Sequence, residues 1–220
     1  MAPEVFEVDT PVGAARVSVH RARGGPARAW FVASHGAGGG IEARDLVALA
    51  AALPARGMHV ALVEQPWRVA GRRLAPAPKT LDAGWRPVLT EISRRNRAEG
   101  LPVFGAGRSA GARVACRMAG ETGVAGVVAL AFPLHPPGRP ERSRLAELLG
   151  AGVPTLVVQG ERDSFGGPTE FPEEGPSVLA VPFADHGFAV PKRAATTQEA
   201  ALALITAGVG DWLVAASGRE

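Results

Sequence analysis

Pro102-Val103-Phe104-Gly105-Ala106-Gly107-Arg108-Ser109-Ala110-Gly111-Ala112-Arg113-Val114-Ala115 runs from an apolar strand-like stretch, through a glycine-spaced serine, into a helix-like stretch. The Gly-x-Ser-x-Gly spacing over 107–111 carries little weight by itself, because 28 of the 220 residues are glycine. Its setting carries the weight. Pro102 to Ala106 reads as a β-strand and Ser109 to Ala119 as a helix, so the serine falls on a sharp strand-to-helix turn. Such a turn lifts a side-chain oxygen clear of the backbone, and small residues at 107 and 111 let two backbone segments touch. The alternatives are a glycine-rich turn without chemistry, or a phosphate-binding turn.

Working outward, β-type runs alternate with helical ones, the pattern of a mostly parallel sheet covered by helices. Glu4 to Asp9 and Ala14 to His20 flank Thr10-Pro11-Val12-Gly13 as a hairpin, and Arg28 to Ser34 leads into the turn His35-Gly36-Ala37-Gly38-Gly39-Gly40. A helix is expected from Ile41 to Arg56, a strand from His59 to Glu64, and an irregular stretch from Gln65 to Lys79. Thr80 reads as the cap of a helix to Ala98. Further strands are expected over 124–132, 155–159 and 178–181. Helices are expected over 142–149 and 196–216, the last loosened by Gly208 and Gly210. This amounts to eight strands and five or six helices in a single domain over residues 1–220.

Composition narrows the classes. Hydrophobic residues at 46% and charged residues at 20% are globular values. The single cysteine excludes a disulfide framework and a cysteine-based metal site. Twenty-four basic against 21 acidic residues leave a charge of +3, with no basic block of five or more, so no nucleic-acid partner is expected. The first residues lack the features of a signal peptide, and no apolar run reaches membrane-spanning length. A cytoplasmic protein with no membrane association is the expectation.

A nucleophilic serine needs a base, and the base needs an orienting acid. Only His135 and His186 follow Ser109 in the chain, and His186 lies in the loop after the last strand. Asp163 ends the penultimate strand segment, Leu156-Val157-Val158-Gln159-Gly160-Glu161-Arg162-Asp163, with Glu161 as its rival; Asp185 is awkwardly close to the histidine. The expected catalytic set is Ser109, Asp163 and His186. An oxyanion also needs backbone N–H donors. Ala110, after the serine, supplies one, and Ala37 the second, with Gly38 as its alternative. His35 reads as a turn-stabilising residue and Cys116 as a core residue. Trp67, Arg68, Arg72 and Arg73 lie on the long loop, where they would overhang a site and bind an anionic acyl group, or else form a solvated loop.

Ser-His-Gly-Ala-Gly-Gly-Gly, Gly-Arg-Ser-Ala-Gly-Ala-Arg, Gln-Gly-Glu-Arg-Asp-Ser-Phe-Gly and Ala-Asp-His-Gly-Phe together resemble the α/β-hydrolase superfamily, in its dienelactone-hydrolase-like branch. More narrowly they are similar to the group sharing the hydrolase-like domain of a non-specific-lethal chromatin complex subunit. The resemblance implies an α/β-hydrolase fold: an eight-stranded, mostly parallel sheet with helices on both faces. The twenty or so residues from Leu134 to Gly152 leave no room for a large cap domain. The resemblance further implies a serine-type hydrolase whose natural substrate is mostly unassigned. The residues themselves read as those of an esterase or thioesterase acting on a small-molecule acyl substrate, with no metal or organic cofactor. Peptidase and acyltransferase chemistry would use the same residues. The rival expectation is a non-catalytic scaffold that keeps the fold as a binding surface.

Overall fold

The computed structural model describes residues 2–218. Its strands are β1 (Glu4–Thr10), β2 (Gly13–His20), β3 (Ala29–Ser34), β4 (Met58–Glu64), β5 (Val103–Arg108), β6 (Gly126–Leu130), β7 (Thr155–Gly160) and β8 (Ser177–Val181). Between them lie α1 (Arg44–Ala52), α2 (Pro66–Val69), α3 (Pro78–Arg95), α4 (Ala110–Thr122), α5 (Leu145–Leu149) and α6 (Gln198–Ala216). All eight strands join one sheet in the order β1-β2-β4-β3-β5-β6-β7-β8. The β1–β2 hairpin and the β2–β4 pair are antiparallel, and every pairing beyond β4 is parallel. The expected eight-stranded, mostly parallel sheet is therefore present.

Strand alternation sends neighbouring apolar residues to opposite faces, which is why the central strands read as unbroken apolar runs. Val32, Val127 and Val157 join Trp85, Val88 and Ile92 of α3 and Val114 and Met118 of α4 in one core. Their neighbours Phe31, Val128 and Val158 join Leu46 and Leu49 of α1 and Ile205, Val209 and Leu213 of α6 in the other. Helices thus cover both faces, and the loops at the carboxyl ends of β3, β4, β5 and β7 meet along one edge of the sheet, where open α/β sheets place their sites.

Several boundaries differ from expectation. The helix expected over 41–56 is α1 plus a 3-10 turn over Leu53–Arg56, because Pro54 has no N–H for an α-helical bond. Thr80 does not cap α3. The helix starts at Pro78, whose fixed φ suits a first helical position, with Ala77 before it. Gly208 and Gly210 do not loosen α6. Cβ atoms there would press to 2.5 Å from Leu179 and 2.7 Å from Arg56, so they are close-packing positions. Helix α6 has 19 residues, and an 18-residue window within it has a mean hydropathy of 1.4, so by length and composition alone it could cross a membrane, which amends the expectation that no segment could. Here its buried residues pack on the sheet.

Helices α3, α4 and α5 are tied by charge as well as packing. Arg113 Nε donates to Glu147 (2.9 Å), Arg117 donates to Glu147 (2.8 Å) and also to Asp82 (2.6 Å). Partial burial works against the Glu147 carboxylate, but the two guanidinium groups hold its pKa below the usual carboxylate value. A carboxylate lowered in this way supports the fold above its unfolded pKa and loses that support as pH falls through the folded one. Glu147→Gln is expected to cost about 2 kcal/mol at neutral pH, the scale of hydrogen bonds to charged groups. Urea titrations should show the gap from wild type closing below about pH 4.

Candidate active site

The turn after β5 places Ser109 at the N-terminus of α4 with φ 52° and ψ −110°, a left-handed region that non-glycine residues rarely adopt. The strain is held by the surroundings: Ser109 N–H donates to the Leu130 carbonyl (2.9 Å), and Arg113 N–H donates back to the Ser109 carbonyl (3.2 Å). A Cβ at Gly107 would overlap the Gly111 backbone, and one at Gly111 would lie 2.6 Å from the Ser34 carbonyl oxygen. Both glycines are therefore required by backbone-on-backbone approach.

Three side chains from three loops meet at this turn. His186 Nε2 lies 2.9 Å from Ser109 Oγ, and His186 Nδ1 lies 2.7 Å from Asp163 Oδ2. Asp163 is buried after β7; its Oδ1 accepts the Phe165 N–H (2.8 Å) and its Oδ2 also accepts from Gln159 Nε2 (2.9 Å). With Nδ1–H donated to this carboxylate, the Nε2 lone pair faces the serine hydroxyl. The Phe165 ring lies against the imidazole at 4.3 Å. Asp185 shapes the histidine loop, accepting the N–H groups of Gly187 (2.7 Å) and Ala189 (2.8 Å). Glu161 is occupied by the Phe183 N–H (2.9 Å), and His135 by Glu170 (2.9 Å). Phe183 and Phe188, at either end of the His186 loop, both take positive φ, so strain is concentrated around the site.

Ala110 N–H is the first of α4 and has no carbonyl of its own helix to bond. Ala110 lines a small cleft together with His35, Gly36, Ala37 and Trp67. His35 fastens the turn that carries Ala37: its Nδ1 donates to the Gly36 carbonyl (2.8 Å) and its Nε2 accepts the Gln65 N–H (3.1 Å). Burial pushes the His35 pKa down, against the pull of the Gly36 bond, consistent with a neutral ring. Trp67 is buried edge-on to His35 at 5.4 Å. Gly38 is exposed at the tip of the turn.

The arginines expected to overhang the site do not gather there. Arg68 turns to Glu42 (3.4 Å), whose carboxylate also accepts the Gly40 N–H (3.0 Å), so it braces the glycine turn. Arg72 is exposed and lines a separate cleft with Val12, Gly13 and Pro76, and Arg73 is exposed. Cys116 is buried, and burial pushes its thiol up to about 12, far from a reactive thiolate. Among the described residues, no group of three or more His, Cys, Asp or Glu is placed to hold a metal. Two residues with no functional signal in the sequence also serve the site: Gln159 steadies Asp163, and the Arg108 guanidinium donates to the His186 carbonyl (2.9 Å).

An eight-stranded, mostly parallel sheet with a serine elbow after its fifth strand, and with only a 3-10 turn and α5 between β6 and β7, defines an α/β-hydrolase fold without a lid. The family model described as an alpha/beta hydrolase domain matches residues 27–214, and the chain belongs to that family. It is similar in fold to XC6422 from Xanthomonas campestris, described as an α/β serine hydrolase without lid, with a TM-score of 0.74, 20% identity, and 96% and 95% of the two chains covered. An alpha-beta serine hydrolase homologue from Coxiella burnetii aligns with a TM-score of 0.72 and 19% identity over 98% and 97%. Dienelactone hydrolase from Anabaena variabilis aligns with a TM-score of 0.70 and 18% identity over 98% and 99%. No curated protein matches the sequence. The narrower likeness to the chromatin-complex subunit finds no counterpart among these matches.

Proposed function

We propose that the protein is a cytoplasmic serine hydrolase that cleaves a small carboxylic ester or thioester through an acyl-enzyme on Ser109. The carrying observation is the chain Asp163 Oδ2, His186 Nδ1, His186 Nε2, Ser109 Oγ, with separations of 2.7 Å and 2.9 Å. In acylation, Ser109 Oγ attacks the acyl carbonyl carbon while His186 Nε2 takes the hydroxyl proton, and Asp163 stabilises the imidazolium. The N–H groups of Ala110 and Ala37 receive the developing oxyanion. Collapse expels the alcohol or thiol, which leaves with the proton from Nε2. Water, deprotonated by the same nitrogen, then attacks the acyl-enzyme and releases the acid and the serine hydroxyl. The lidless edge favours small acyl groups, and a site that is open to water favours hydrolysis over transfer.

Intact-mass analysis after incubation with a fluorophosphonate tests this reading. A single adduct is expected on the wild type and none on Ser109→Ala. A folded wild type that takes up no adduct overturns the proposal and favours the scaffold.

A further inference from the structure

Arg108 is the last residue of β5, directly before Ser109, yet its side chain does not point to solvent: it is 16% exposed. Its guanidinium touches three separate segments. Nη2 donates to the His186 carbonyl at 2.9 Å. Nε lies 3.5 Å from Asp45 Oδ1, and the Asp45 side chain, in the first turn of α1, is 1% exposed. Nη1 lies against Gly36, where an added Cβ would come within 3.3 Å of it.

We infer that Arg108 is a positioning residue for His186, its planar guanidinium joining the serine elbow to the histidine loop while buried Asp45 serves as its counter-ion. The inference rests on the hydrolase reading above and adds a residue to it. Asp185 fixes the internal shape of the histidine loop, but its bonds to Gly187 and Ala189 lie within that loop and do not tie it to the elbow. Besides the Ser109–His186 contact, the Arg108 bond is the link between them among the described residues. The guanidinium is hydrogen-bonded to the His186 carbonyl and lies 3.5 Å from the buried Asp45 carboxylate as an ion pair without a hydrogen bond. Through the His186 bond it fixes the height of the His186 backbone, and so the reach of Nε2 to Oγ. Lysine has the charge but not the planar fork, and so cannot present one N–H to the His186 carbonyl while a second nitrogen of the same rigid group faces the Asp45 carboxylate. Burial pushes the Asp45 carboxyl up, and the nearby guanidinium opposes this, so the two charges depend on one another.

The test compares wild type, Arg108→Met and Arg108→Lys by melting, by kcat and KM on p-nitrophenyl acetate, and by fluorophosphonate labelling rate. It also follows the downfield proton resonance of His186 Nδ1–H, which does not depend on turnover. Both variants are expected to lose on the order of 10- to 100-fold in kcat with little change in KM, the scale of a displacement near 1 Å. Their Nδ1 proton should broaden or shift, and Arg108→Lys should melt closer to wild type than Arg108→Met does. A lowered melting point with kcat, labelling and the Nδ1 proton unchanged makes Arg108 merely structural and overturns the inference. If Arg108→Met does not fold, Arg108→Lys decides by the same readouts. If the wild type itself fails to label, the hydrolase reading falls and the Nδ1 proton alone decides: its loss in Arg108→Lys supports positioning, and an unchanged signal, or none in the wild type, overturns it.

Discussion

Asp163→Asn is expected to fold and to lose about four orders of magnitude in kcat, the scale seen when the acid of such a triad becomes an amide. The hydrogen-bond pattern says why the amide fits badly. The Phe165 N–H requires an acceptor at the Oδ1 position, so the asparagine carbonyl oxygen is held there. Its NH₂ then occupies the Oδ2 position, where it meets two donors, His186 Nδ1–H and the Gln159 amide. The imidazole can relieve the conflict only by moving its proton to Nε2, the atom that must accept from Ser109. The measurement is kcat per active site on a p-nitrophenyl ester, with circular dichroism and a urea titration to show that the fold persists. A stability loss of about 1–3 kcal/mol is expected from the broken buried bonds. Turnover equal to wild type would remove Asp163 from the mechanism. It would not pass the role to Glu161, whose carboxylate is already engaged by the Phe183 backbone.

What was legible in the sequence and what was not divides along a physical line. The sheet and the elbow are written locally: apolar runs of strand length, glycines at 107 and 111, and helical spacing after 109 all bear on one short segment. Ser109, Asp163 and His186 could be selected because each closes or follows a strand whose carboxyl end must lie on one edge of a parallel sheet. Partner choice, by contrast, is decided by tertiary placement. Arg68 looks free in the sequence, yet Glu42, 26 positions away, reaches it across the glycine turn. Arg108 reads as one more arginine in a chain with 24 basic residues, and only the meeting of α1 with the histidine loop buries it. Gln159 lies mid-motif in a buried strand, where nothing local distinguishes an amide that steadies a carboxylate from one that bonds only backbone. Thr80 fails as a cap because a proline two residues earlier is already suited to begin the helix, a competition between two valid local signals.

The second large effect falls on the elbow's packing rather than on its chemistry. Gly111→Ala is expected to cost on the order of 3 kcal/mol in stability, the upper end of overpacking penalties, because the new methyl meets backbone and not a side chain. It would lie 2.6 Å from the Ser34 carbonyl oxygen and 2.8 Å from that of His35. Strand β3 cannot retreat, since it is buried along its whole length and paired with β4 on one side and β5 on the other. The start of α4 must therefore lift, taking Ala110 N–H and Ser109 with it, away from the turn that His35 fastens. A displacement near 1 Å at this point is worth about 100-fold in rate. Activity and stability should fall together, unlike the Asp163→Asn case, where rate falls far more than stability. Gly38→Ala is the matched control for stability: nothing lies within 4 Å of an added Cβ there, and its melting point should stay close to wild type. Equal urea midpoints for the two alanine variants would show that β3 and α4 do not approach as closely as the Gly111 contact requires, and would remove the packing basis for the strained conformation of Ser109.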